Sequence, residues 1–442
     1  MNINKENILK YVLDIFKSNY PDFDSCEIDY GTDNKAPVFI KNTSGNYFNE
    51  RINLDDSKIV WKHFYGQKIP FLFSGTDNEE IMTVTENRTT INFDIISSAF
   101  YFLSCWQEFT TDKKDLYGRY RYEDSLQKKF GITQIPVVNY YFEILKQALE
   151  QSCHIKLNRK AFPGNARFAV CLTHDIDSIN SGWKEDAYWS LKKGGLKSVF
   201  HIIRNKINGI DTWFTFDKIT QAEKNLNVSS SFYFLAKKGK YRNISNADYN
   251  IQSDNIKSAI ELVENAGSEL AIHGSYRTHD DTESFHKEYS LFKNKILGNR
   301  FHFLEFDIEK SPEVLQKNGI KYDTTLGFAE SIGFRNSYCH PYYLYDFKNN
   351  CRSEVLEIPL IVMDTTLRKY CRINQHEVLS ILDPLIPEIE KFEGVLTLSW
   401  HNTSFSEYKY RGWSKIYSDL LCHLRTKNAW LTKASEIYFF YK

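Results

Sequence analysis

The stretch Cys171-Leu172-Thr173-His174-Asp175-Ile176-Asp177 closes an apolar run that begins at Phe168 and ends in two carboxylates one residue apart. Side chains alternate along a strand, so Asp175 and Asp177 can point into one site while that alternation lasts. They are too close to ionise independently unless a cation or an arginine sits between them. An Asp-rich turn closing a strand is the structural alternative, and this motif alone does not separate the two.

Similar apolar runs follow at Ser231–Ala236, Leu270–His273, Phe301–Phe306, Tyr322–Phe328, Val355–Val362 and Val395–Trp400. Helical patterns lie between several of them, such as Ile256–Asn265 and Val378–Phe392. Strand, helix and strand in alternation imply a parallel sheet, and seven strand candidates favour an irregular (β/α) barrel. Chemistry then belongs at the carboxyl ends of the strands. Those ends carry Asp175 and Asp177, His273, Arg300 with His302, and His401. Each alone reads as an ordinary core or capping residue, whereas their recurrence at one end of successive strands points to a site.

Before residue 160 the texture differs. Ile8, Leu9, Val12, Leu13 and Phe16 have helical spacing. Pro37–Ile40, Ile69–Phe73 and Ile81–Val84 read as strands. Asp94 is placed to cap a buried helix containing Ala99, Phe100, Phe102, Leu103 and Trp106. Thr110–Lys129 reads as a loop and Tyr140–Gln151 as a helix. The expected organisation is an α+β domain over 1–160 and a barrel over 161–442.

The 442 residues carry 56 Lys plus Arg against 56 Asp plus Glu, a balance that argues against a nucleic-acid partner or a polybasic membrane module. With 20 Gly and 10 Pro, long disordered stretches are not expected. Aromatic residues reach 15%, enough to fill a large core and still furnish a binding surface. The eight cysteines, Cys26, Cys105, Cys153, Cys171, Cys339, Cys351, Cys371 and Cys422, form no CxxC pair and read as free thiols of a reducing compartment. The opening residues have no continuous apolar segment of the signal-peptide kind, and Ile95–Gln107 is too short for a span. A soluble cytoplasmic protein without stable membrane insertion is the expectation. HExxH, GxxxxGK and GxSxG signatures are absent.

Thr173-His-Asp-Ile-Asp177, His273-Gly-Ser-Tyr276, the strand arginine Arg300 and Leu398-Ser-Trp-His401 together resemble the NodB-homology polysaccharide deacetylases over about residues 165–440. The segments Tyr322–Glu330, Trp400–Phe405 and Asp94–Leu103 are similar to a bacterial branch of that family with an added N-terminal domain. The resemblance implies a distorted (β/α)7 barrel with a smaller N-terminal α+β domain. It implies one divalent metal ion, with zinc expected, and removal of an N-acetyl or related acyl group from an amino sugar or glycan precursor. It makes Asp175 the general base, Asp177 and His273 metal ligands, Arg300 the tether of the base and His401 the general acid. The chemistry is coherent: metal polarises a poor electrophile, a carboxylate takes the proton of water, and an imidazole protonates a poor leaving amine. His and Asp ligands equally admit cobalt, nickel, manganese or iron.

Two departures bear on the site. Ile176 separates aspartates that the family pattern places side by side. Arg277 occupies the second histidine position of His-Ser/Thr-x-x-His. The third ligand is then His302, on the face of Arg300 if the strand continues, or else His279 or His174. Alternatively, Arg277 marks a barrel that has lost its metal and only binds carbohydrate. Hydrolysis of a small non-sugar amide is a further reading. Tyr338, Tyr342, Tyr343, Tyr345 and Trp413 could offer aromatic faces to a sugar, although core packing suits most of them. Arg335 could meet an anionic group, with a surface ion pair as the simpler expectation.

Overall fold

The computed structural model describes residues 3–23, 28–32, 35–75, 79–86 and 88–442; Cys26 lies outside them. Cys105, Cys171, Cys339, Cys351, Cys371 and Cys422 are free thiols. The first helix, Lys5–Asn19, buries Ile8, Val12, Ile15 and Phe16 and is capped by the side chain of Asn4. The helix Val137–Cys153 packs on a four-stranded sheet in the order Ile28–Tyr30, Val38–Ile40, Arg88–Ile91, Met82–Thr85. A separate hairpin pairs Val60–Phe64 with Gln67–Phe71. Asp94 accepts the backbone N–H of Ser97 and caps the helix Ile95–Leu103, all nine residues of which are buried. The segment expected as a loop over 110–129 contains two short helical turns, Tyr122–Asp124 and Leu126–Lys129, because Ser125 caps the second.

The second part is built on a ten-stranded sheet. Its strands are β1 (Phe168–Ile176), β2 (Ser231–Leu235), β3 (Glu269–Gly274), β4 (Gly298–Phe301) and β5 (Tyr322–Asp323), then β6 (Tyr342–Asp346), β7 (Cys351–Glu357), β8 (Val362–Met363), β9 (Val395–Ser399) and β10 (Ala429–Thr432). The order is β6-β7-β5-β4-β3-β2-β1-β9-β8, and β10 pairs with the first half of β1. Every pairing is parallel except that of β6 with β7.

Several expected elements are shorter than their apolar runs. The run Phe301–Phe306 leaves the strand after Phe301, because Phe303 and Leu304 take positive φ of 60° and 59°. Pairing in Tyr322–Phe328 stops at Asp323, whose carboxylate takes the backbone N–H of Thr325. Val355–Val362 divides between β7 and β8. The helix expected over Val378–Phe392 breaks at Pro384, which has no N–H to continue the ladder.

Alternation along β1 sends Phe168, Val170, Leu172 and Ile176 to the outer core. Ala169 and Cys171 face inward, where Tyr233, Ala271, Tyr322, Leu356 and Val395 join Ala434 and Ile437 of the last helix, Ala434–Tyr441. This apolar layer floors the site. Above it, Arg300 on β4 reaches Asp175 on β1. Three strand spacings separate them along the sheet, about 14 Å if it were flat, so the sheet is strongly curled.

The two parts share one apolar core. Tyr345 packs edge-on against Tyr11 and Phe100, and the Tyr11 hydroxyl donates to the carbonyl of Tyr343. Tyr338, Tyr342 and Tyr345 are buried here and present no face to a ligand. Arg335 is likewise not at the surface: its Nη2 meets Glu108 Oε1 at 2.7 Å, with both side chains buried.

Candidate metal centre and active site

Odd-numbered positions of β1 face inward, and the alternation carries Asp175 and then Asp177 to the open end of the curled sheet. Register sets His273 on β3 directly beside Arg300 on β4. Asp175 is buried and held from two sides. Arg300 Nη1 donates to its Oδ1 at 2.6 Å and Ser399 Oγ to its Oδ2 at 3.1 Å. Arg300 also donates to Thr173 Oγ1 and to the carbonyl of Thr324, and its guanidinium lies over the Tyr233 ring. Burial alone would raise the Asp175 pKa; the guanidinium, with His273 and His401, outweighs it and holds the carboxyl below its ordinary value.

Asp177, His273 and His302 offer ligand atoms that all lie within 4.8 Å of one another. Asp177 Oδ1 is 3.4 Å from His273 Nε2 and 3.8 Å from His302 Nε2, and it is buried without a hydrogen-bond partner. The outer nitrogens are already committed. His273 Nδ1 donates to the carbonyl of Arg300 at 2.7 Å, and His302 Nδ1 faces Asn246 Oδ1 at 3.3 Å. Both Nε2 lone pairs are thereby turned towards the carboxylate, the tautomer that metal-ligating histidines require. Burial pushes the His302 pKa down to about 3, so this imidazole is neutral and can ligate. Burial opposes ionisation of Asp177, but the surrounding imidazoles of His302, His273 and His401 more than offset it, and its carboxyl sits well below the ordinary range. One carboxylate and two imidazoles presenting Nε2 suit a small divalent cation such as zinc.

His302 reaches this cluster from a helical turn after β4 rather than from a continued strand. Phe303 stacks on its ring at 3.9 Å, and Tyr117, from the N-terminal part, stacks on Phe303 at 4.5 Å. The other two candidates lie elsewhere. His279 Nδ1 is 3.5 Å from Glu305 Oε2, and His174 is taken up by the carbonyl of Trp400 and by Glu223. Arg277 does not line the cavity. Its backbone N–H donates to Glu305 Oε2, its Nη1 is 3.7 Å from Glu305 Oε1, and its side chain is 42% exposed. The repulsion expected of a guanidinium beside a cation therefore does not arise.

His401 stands opposite. Its Nε2 is 3.7 Å from Asp177 Oδ2 and 4.0 Å from Asp175 Oδ2. Its Nδ1 donates to Asp364 Oδ1 at 2.6 Å, and its backbone N–H donates to Asp364 Oδ2. Burial would lower the His401 pKa, but Asp364 dominates and raises it to about 9. Asp364 sits just after β8, accepts a hydrogen bond from Ser404 Oγ and forms an ion pair with Arg368 Nη2 at 3.5 Å. Neither Asp364 nor Ser399 stands out in the sequence. The shortness of β8 conceals the first, and only the inward alternation of β9 could have suggested the second.

A cavity of about 460 Å³ opens over these groups, lined by Asp175, Asp177, His273, His302 and His401. Tyr117 and Arg119 of the N-terminal part also line it, as do Trp213, Arg368, Lys369 and Tyr410. Arg368 lies over the Tyr410 ring at 3.9 Å, and its Nε and Nη1 have no partner. Trp413 packs behind it, buried against Trp400.

Residues 3–154 match a family of unknown function, DUF7033. No curated protein matches the chain. Among solved structures, the chain is similar to a Mycobacterium smegmatis protein with a provisional polysaccharide deacetylase assignment, at 15% identity and TM-score 0.43, over 63% of this chain and 92% of that one. It is similar to PuuE allantoinase at 14% identity and TM-score 0.41, over 63% and 92%. It is also similar to wild-type BA3943, a CE4 family pseudoenzyme of Bacillus anthracis, at 8% identity and TM-score 0.29, over 60% and 65%. At such identities and scores, the chemistry of the site rests on its own residues.

Proposed function

We propose that the protein is a metal-dependent hydrolase that removes an N-acetyl or related acyl group from an amino sugar or glycan precursor. The observation that carries this reading is the convergence of Asp177, His273 and His302 between an arginine-held carboxylate, Asp175, and a carboxylate-held imidazole, His401. A divalent ion at the three ligands, zinc being the expected one, would polarise the acyl carbonyl and acidify water beside it.

The roles of the remaining groups follow from their charge and place. Asp175, kept ionised by Arg300, takes a proton as the water oxygen bonds to the carbonyl carbon. Its lowered basicity suits this task only because that water is itself acidified. His401, protonated at neutral pH, gives its Nε2 proton to the amide nitrogen as the carbon–nitrogen bond breaks. The amine leaves, and the proton on Asp175 returns to the medium or to His401. Asp364 stabilises the imidazolium and fixes its orientation.

Residues 1–160 serve in this reading as a domain that walls the cleft through Tyr117 and Arg119. Arg368, with two unpartnered nitrogens, and Lys369 suit a substrate bearing a negative group, such as a nucleotide- or lipid-linked sugar. Acetate release from N-acetylated amino sugars by the metal-loaded protein, compared with hydrolysis of simple linear amides, is the test. Release from the sugars alone supports the reading. Release from neither, with metal bound, defeats it.

A further inference from the structure

Between β1 and β2 the chain makes a hairpin of two helices, Gly182–Lys192 and Leu196–Ile207. In the second helix Leu196, Phe200, Ile203 and Ile207 are between 43% and 80% exposed. At about 100° per residue they fall within an arc of about 60°, one stripe along the helix. Ile202, on the opposite side, is the residue that this helix buries, so the outer stripe is left over from core packing. Tyr188 and Leu191 of the first helix are also exposed and extend the apolar surface.

Charge marks the same segment. Residues 187–210 contain Lys192, Lys193, Lys197, Arg204 and Lys206 and no acidic residue, in a chain whose total charges balance. By the same helical steps, Lys197 and Arg204 flank one side of the stripe and Lys206 the other. Lys206 pairs with Asp211; among the described residues no ion pair engages the other four. An apolar stripe bordered by uncompensated cations is the chemistry of a helix lying in the headgroup region of an anionic bilayer. A second copy of the chain fits less well, because self-packing of this face brings like charges together.

We propose that this hairpin docks the protein on the surface of an anionic lipid bilayer. Among the described residues no helix is long and apolar enough to cross a membrane, and the contact is interfacial. The hairpin leaves the sheet just after Asp177 and rejoins the site at Trp213, which lines the cavity. Asn402 ties both feet by donating to the carbonyls of Ser178 and Trp213. The docked hairpin is therefore anchored by its feet at the cavity rim, whatever reaction the cavity carries out.

The test is co-sedimentation of the full chain with vesicles of phosphatidylcholine alone or mixed with phosphatidylglycerol. Binding is expected to the mixed vesicles and to fall at least about tenfold in about 1 M salt, where screening lengths shrink to about 3 Å. It is expected to be lost in Phe200→Ser with Ile207→Ser, and separately in Lys197→Glu with Arg204→Glu. Unchanged circular dichroism and melting show that these exposed substitutions leave the fold intact. No binding to the mixed vesicles, or binding unaffected by either pair, overturns the proposal. A dimer that the apolar pair disperses, with vesicles unbound, assigns the face to a second copy and also overturns it.

Discussion

Asp364 holds His401 twice, through Nδ1–H to Oδ1 at 2.6 Å and through the backbone N–H to Oδ2 at 3.1 Å. The grip fixes both the rotation and the charge of the imidazole. As a general acid His401 must be protonated, so activity is lost as pH rises through its pKa, raised to about 9. Asp364→Asn removes the stabilising charge and lets burial act. The basic limb of the kcat/KM profile is then expected to move towards or below the ordinary histidine value of 6.5. The acid limb, set by Asp175, is expected to stay below the ordinary carboxylate range. An unchanged basic limb would remove His401 from the acid role.

Among the candidate third ligands, His302→Ala is expected to abolish metal binding, whereas His279→Ala leaves it near wild type. His279 faces Glu305, outside the cluster. Arg277→Ala should also retain metal, since the guanidinium does not line the cavity. Elemental analysis of the three variants decides between them, and metal loss in His279→Ala would reverse the assignment.

The stack of Tyr117 on Phe303 on His302 makes the N-terminal part a support for a candidate ligand. Tyr117→Ala is expected to weaken zinc affinity about tenfold, in the range usual for groups that orient ligands. Tyr117→Phe keeps the ring and should restore it. Calorimetric titration of metal-stripped protein reads both; equal weakening in the two variants would show that the stack is not what matters.

The Glu108–Arg335 pair lies across the shared core. Glu108→Ala leaves a buried guanidinium unpaired and is expected to cost about 3–5 kcal/mol. Replacing both residues, Glu108→Leu with Arg335→Met, should cost less than the single change. Urea unfolding of the three variants gives the comparison.

The sequence displays what periodicity encodes. Inward alternation along β1 places Asp175 and Asp177 in one site, and the run ending at His273 has its strand where expected. Features made by backbone turns were hidden. His302 joins the cluster from the start of a helical turn directly after β4, not from a continued strand. Asp364 follows a two-residue strand that no periodicity reveals. Arg335 looked like a surface residue because its partner, Glu108, is 227 positions away. Whole-chain charge balance likewise conceals the local excess of cations between residues 187 and 210.

Metal content per chain, measured on purified wild type and on Asp177→Ala, tests the central claim most directly. Near one equivalent in wild type and little in the variant is the predicted result. No metal in wild type after reconstitution with zinc or cobalt, or a full equivalent retained by Asp177→Ala, would contradict the account.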